Sequence, residues 1–181
     1  CPCYLDIKGA KEHAIVATSL GKSFGFTGVN HANILIADEK LRERFTDRRT
    51  RDHYGSLDPM VYECVLAACS EEGKAWVEAS NRYVENNMNR LREFFAQTMP
   101  KVCVYGGEGA YVLWIDWSAY FDTEEALQNF LVKEAHVCLG EGSDYDCPLF
   151  TRICMATPAA CLEDTLQAIR DAAERCIFVA E

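Results

Sequence analysis

From Glu71 to Thr98 the chain carries apolar side chains at helical spacing, at Trp76, Tyr83, Met88, Leu91, Phe94 and Phe95, until Pro100 ends the run. At 1.5 Å per residue this predicts a helix of about 40 Å, longer than a small domain is wide. Such a helix has to serve two units, and the expected division is residues 1–78 and 79–181. The pattern differs on its two sides. Before it, two short apolar runs, His13–Thr18 and Ala32–Ala37, flank a glycine-punctuated turn from Ser19 to Gly28 and read as buried strands. Asp38 is a natural N-cap for a charged helix, and Asp58-Pro59 opens an apolar one across Val61, Cys64, Val65 and Ala68.

After Pro100 come short strands and turns. Val102–Tyr105 and Tyr111–Trp117 read as strands around Gly106-Gly107-Glu108-Gly109, and Thr123 starts an amphipathic helix reaching Val132. Phe150–Thr157 reads as a further strand, followed by a helix with Leu162, Leu166, Ile169 and Ala173 on one face. The first unit is therefore expected to be α/β and the second α+β.

Eighteen basic against twenty-eight acidic side chains give a formal charge of −10, a field that repels phosphate backbones and anionic lipid, so neither nucleic acid nor a membrane surface is an expected partner. Hydrophobic residues are 49% of the chain without a run long enough to span a bilayer, which predicts a soluble protein. There are 10 cysteines but no CxxC pair, and Cys64, Cys69, Cys103, Cys138, Cys154 and Cys161 lie in apolar, periodic segments. They read as buried small hydrophobes, with no metal site and no disulfide framework, in a cytoplasmic protein without a signal peptide. The first residue is Cys1 where a start codon would give Met, so the chain reads as trimmed.

The chemistry concentrates between Ser19 and Gly28. Gly21-Lys22-Ser23 looks like the end of a phosphate-binding loop, but that motif needs glycine five residues before Gly21, where Val16 stands. What remains is a lysine after an apolar strand. Burial there would depress its pKa and favour the neutral amine that Schiff-base chemistry needs, whereas a solvated turn lysine would do neither. Arg152 lies in another apolar strand, where a guanidinium is costly unless a carboxylate answers it. The four histidines have no ligand spacing and read as structural or surface residues, and Tyr111, Trp114 and Trp117 read as core.

The segment Ser19-Leu20-Gly21-Lys22-Ser23-Phe24-Gly25-Phe26-Thr27-Gly28 resembles the cofactor-lysine segment of class I/II pyridoxal-phosphate aminotransferases. Other segments agree in order. His31–Ile36 with Glu39–Phe45 resembles the strand and helix after that lysine, Glu108–Asp116 a small-domain strand, and Phe150–Ala156 the arginine strand. The details lean toward the branch that contains cystathionine β-lyases and other C–S lyases. The resemblance implies the C-terminal part of the fold type I architecture: the end of the large-domain α/β sheet (1–78), a long interdomain helix and a small α+β domain (79–181).

It also implies roles for individual residues. Lys22 would carry pyridoxal 5'-phosphate as a Schiff base and shuttle the substrate Cα proton, Ser19 would contact the cofactor phosphate, and Arg152 would clamp the α-carboxylate of an amino-acid substrate. Asn30 departs from the pattern, since many relatives place a phosphate-binding arginine there, and this leaves open how the phosphate is anchored. The family's ring-pairing aspartate and much of its phosphate cup precede the lysine segment, and only twenty-one residues precede Lys22 here, so the chain is expected to be inactive alone. The implied whole is a homodimeric aminotransferase or C–S β-lyase of amino-acid metabolism. The alternative is a truncated relative that serves as an interaction module.

Overall fold

In the computed structural model, residues 3–176 are described; Cys1, where the chain reads as trimmed, lies outside them. They divide into two compact units that meet between Ser80 and Asn81, inside the long helix.

In the first unit, 3-10 turns at Tyr4–Asp6 and Ala10–Glu12 precede β1 (Val16–Thr18), which pairs antiparallel with β2 (Asn33–Leu35). Helix α1 (Glu39–Arg51) begins where expected, because the Asp38 carboxylate accepts a hydrogen bond from the Leu41 amide at 2.7 Å. Asp58 does the same for α2 (Pro59–Ala68), accepting from Met60 at 2.8 Å with Pro59 in the first turn. Helix α3 (Glu71–Thr98) follows after Ser70, whose hydroxyl accepts from the Gly73 amide. A Cβ at Gly73 would lie 2.5 Å from the carbonyl oxygens of Ala67 and Ala68, so the α2–α3 corner needs glycine.

The two apolar runs do not form buried strands. Each strand has only three residues, and Ile15, Ile34 and Leu35 are exposed because the two-stranded ribbon has no apolar layer over it among the described residues.

The second unit holds the core. Its sheet runs in the order β3 (Cys103–Gly106), β4 (Val112–Asp116), β6 (Phe150–Cys154), β5 (Gly140–Glu141), antiparallel throughout. The pleat sends Leu113 and Ile115 of β4, and Thr151 and Ile153 of β6, to one face. Those residues join a core shared with Met88, Leu91 and Phe95 of α3 and with Leu162, Leu166 and Ile169 of α5 (Ala159–Cys176). The expected helix at Thr123 is α4 (Glu124–Gln128), capped by the Thr123 hydroxyl and continued as a π-helical turn over Asn129–Glu134. Strand Phe150–Thr157 ends early, at Cys154, and Tyr111–Trp117 shortens to Val112–Asp116.

Asn87, 2% exposed on α3, donates to the carbonyl oxygens of Met155 (3.0 Å) and Thr157 (2.9 Å), fixing the segment between β6 and α5. Asn87→Leu removes both donors and leaves the two acceptors unsatisfied, the Met155 carbonyl in a buried bond, at a cost of about 1–3 kcal/mol for each such group. A denaturant midpoint unchanged by this substitution would contradict the tie.

The cysteines are not core residues. Cys64 is half-buried, and Cys69, Cys103, Cys138, Cys154 and Cys161 are exposed free thiols. Cys103, Cys154 and Cys161 take exposed positions on their strands and helix, and Cys69 and Cys138 lie outside regular elements, which an apolar neighbourhood in sequence does not reveal. No helix among the described residues is long and apolar enough to cross a membrane.

Candidate active site

The lysine segment lies in the first unit, directly after β1. Ser19 Oγ accepts a hydrogen bond from the Gly21 amide at 3.0 Å and closes a tight side-chain turn. A Cβ on Gly21 would come within 3.2 Å of that oxygen, and Gly25, at φ +69°, takes the left-handed conformation that glycine favours. The backbone is held by Phe24 N–H to Leu20 O (3.0 Å) and Val29 N–H to Phe26 O (2.9 Å). Phe24 stacks on Phe26 (centroids 5.9 Å apart) and on Trp76 of α3 (5.6 Å), so the stretch after Lys22 is anchored by aromatic contacts.

Lys22 itself is exposed and, among the described residues, makes no ion pair. Of the two readings of the local sequence, the solvated turn lysine is the one observed: β1 is not a buried strand, so nothing apolar covers the amine. The amine is accessible to an aldehyde, and the Ser19 hydroxyl keeps its own hydrogen to donate while its oxygen accepts from Gly21. These two groups have the donor chemistry that pyridoxal phosphate requires. Asn30 is also exposed in the same segment.

Arg152 lies in the second unit, on the outward face of β6. The register sets one row of residues across the sheet: Tyr105 of β3 opposite Trp114 of β4, Trp114 opposite Arg152, and Arg152 opposite Gly140 of β5. Among the described residues no carboxylate pairs with Arg152; its Nη1 donates to the Tyr145 hydroxyl, and its guanidinium carbon sits 5.1 Å from the centre of the Tyr145 ring. The guanidinium is exposed to solvent, so its charge is not desolvated and needs no answering carboxylate from the protein.

Aromatic side chains surround it. Trp114 meets the Tyr145 and Phe150 rings edge-on at 5.4 and 6.2 Å, and Phe150 stacks with Tyr105 at 6.4 Å. Trp114 therefore lies on the open face, not in the core as expected, whereas Trp117 is fully buried.

Gly140 makes room for the arginine. A Cβ there would lie 3.3 Å from Arg152 Cβ and 3.6 Å from Nε. Gly140→Val is expected to displace the guanidinium from Tyr145; a variant structure in which the Arg152–Tyr145 contact persists would show that the close approach has no part in orienting Arg152. Neither Tyr145 nor Gly140 stands out in the sequence, because both fall in a loop-like stretch whose pairing emerges only from the register of β5.

Comparison with known proteins decides the family. The profile of the aminotransferase class I and II family matches residues 4–169. The chain belongs to that family. Cystathionine beta-lyase PatB of Bacillus subtilis (strain 168) is 29% identical over 161 residues, which are 88% of this chain and 41% of that relative. Among solved structures, cystalysin from Treponema denticola superposes with a TM-score of 0.80 at 25% identity, covering 94% of this chain and 43% of its own. The pyridoxal-phosphate-bound C–S lyase from Staphylococcus hominis gives 0.76 at 27% identity, covering 90% and 43%. This aminotransferase-family chain thus spans less than half the length of these relatives, and its architecture is that of the C-terminal part of the fold type I enzymes.

Proposed function

We propose that this chain provides the cofactor lysine and the substrate carboxylate clamp of a pyridoxal-phosphate-dependent enzyme that breaks a carbon–sulfur bond of an amino acid by β-elimination. The observation that carries this reading is the family match over residues 4–169, with Lys22 and Arg152 both exposed and, among the described residues, in no ion pair. The sulfur specificity rests on PatB and the C–S lyase structures. Transamination is the second reading, favoured by an LL-diaminopimelate aminotransferase of Bacteroides thetaiotaomicron that is 31% identical over 120 residues.

Bound pyridoxal phosphate supplies an electron sink that acidifies the substrate Cα–H bond. Lys22 Nζ would hold the cofactor by its aldehyde carbon and, once free, would accept the substrate Cα proton as general base. Ser19 Oγ would donate to the cofactor phosphate. Arg152 grips the substrate carboxylate with two parallel N–H donors, a planar fork that lysine cannot offer. Tyr145 holds the guanidinium by its ring and its hydroxyl, and the Trp114 and Phe150 rings limit how it can turn. The proposed division is residues 1–78 as large-domain elements and 79–181 as the small domain, in a homodimer that light scattering of the full-length protein would reveal.

Arg152→Lys keeps the charge and loses the fork. The expected loss is about 1.5–3 kcal/mol, the worth of a hydrogen bond to a charged group, which lowers kcat/KM for cystathionine about 10- to 150-fold while cofactor binding persists. Equal kcat/KM in the variant would refute the carboxylate role. Pyruvate and ammonia as products identify β-elimination, and a keto acid that retains the substrate side chain identifies transamination.

A further inference from the structure

We propose that Cys138 and Cys154 form a redox dithiol, a disulfide-forming site at the edge of the outward sheet face. Both are free and exposed, and with Cys161 they line one cavity of about 250 Å³ between the segment before β5, the end of β6 and the first turn of α5. The strand register brings the first two together. The ladder ends with Gly140 opposite Arg152; Cys138 lies two residues before Gly140 and Cys154 two residues after Arg152, so an extension of the same antiparallel register would set the two cysteines opposite each other. Directly opposed residues of antiparallel strands have Cα atoms about 4.5–5.5 Å apart, inside the span of about 4.4–6.8 Å that a disulfide tolerates. Cys161 shares the cavity from a helix and has no such register.

The position has a structural consequence. Cys154 follows Arg152 by two residues and points to the same face, while Cys138 precedes Gly140, the partner of Arg152, by two residues. A bond between them extends the two-residue pairing of β5 with β6 and fixes the row that contains Arg152.

The oxidant is a low-molecular-weight disulfide, RSSR. One protein thiolate attacks a sulfur of RSSR, the S–S bond breaks, and RSH leaves with the proton released from the protein thiol. The second protein thiolate then attacks the mixed disulfide, expelling a second RSH. In sum, two protein thiols and RSSR give one protein disulfide and two RSH, so the two electrons lost by the protein reduce the oxidant.

The test is incubation of the reduced protein with oxidised glutathione, alkylation of the remaining thiols and peptide mapping. The expected result is a peptide linking Cys138 to Cys154, with two reduced glutathione molecules released per link. The link should persist in Cys161→Ser, and in Cys154→Ser it should be replaced by a glutathione adduct on Cys138. Because both thiols are exposed, mapping of the unsubstituted protein decides the question even where a variant folds poorly. A link from either residue to Cys161, or alkylated Cys138 and Cys154 while exposed Cys69 and Cys103 carry glutathione, would overturn the proposal.

Discussion

Lys22→Ala is expected to abolish covalent attachment of pyridoxal phosphate and to lower kcat by about 10²–10⁴, the range for removing a positioned general acid–base group. In the proposed role the two effects share one cause, because the same primary amine would both bond the cofactor aldehyde and move the Cα proton. Borohydride reduction converts such a bond into a stable secondary amine, and the peptide that carries the added mass identifies the lysine. The chain offers competitors in Lys8, Lys11 and Lys40, so the labelled position is informative. A fold defect would not mimic the result. Lys22 is exposed on a turn and, among the described residues, makes no ion pair, so its truncation should change stability by no more than about 0.5 kcal/mol. Lys22→Arg adds a second control: it keeps the positive charge and loses the condensing amine, so it should fail like the alanine variant. Label found on Lys11 or Lys40, or retained in Lys22→Ala, would remove Lys22 from its proposed role.

The helices were legible in the sequence because their signals are local. Asp38, Asp58 and Thr123 each cap a helix with their own side chains, and Pro100 follows an apolar stripe that α3 buries at Met88, Leu91, Phe94 and Phe95. Burial of strands is not local. His13–Thr18 and Ala32–Ala37 have the composition of covered strands, yet whether another layer lies over them depends on residues distant in sequence, and here Ile15, Ile34 and Leu35 are exposed. The same reason explains why local sequence left open whether Lys22 is buried or solvated, since a buried setting depended on cover over the strand before it. In the second unit, alternation along β4 and β6 was readable, but the facing row of Tyr105, Trp114, Arg152 and Gly140 depends on register between strands distant in sequence, as in the pairing of Trp114 with Arg152. Trp114 and Trp117 are alike by composition, and only the pleat separates them, one outward beside Tyr145 and the other inward against Phe95.

Trp117 marks the largest expected effect on stability. Its side chain is fully buried directly after β4, with the Phe95 ring edge-on at 5.3 Å, Phe130 at 6.2 Å and Phe121 at 6.3 Å. Its indole N–H donates to Thr151 Oγ1 at 2.9 Å, and Thr151 is itself fully buried on β6. Trp117→Ala therefore opens a cavity among three aromatic rings and deprives a buried hydroxyl of its donor, for a loss of about 3–5 kcal/mol. Trp117→Phe separates the two contributions. It restores most of the aromatic contact while removing the N–H, so its cost should approach that of one unsatisfied buried hydroxyl, about 1–3 kcal/mol. Thr151→Val in the Trp117→Phe background should recover part of that cost, because a hydroxyl that no longer exists needs no donor. Denaturant unfolding of the four proteins measures the cycle. A Trp117→Phe variant as unstable as Trp117→Ala would show that the indole's shape, and not its hydrogen bond to β6, holds the sheet to the helices beneath the Arg152 face.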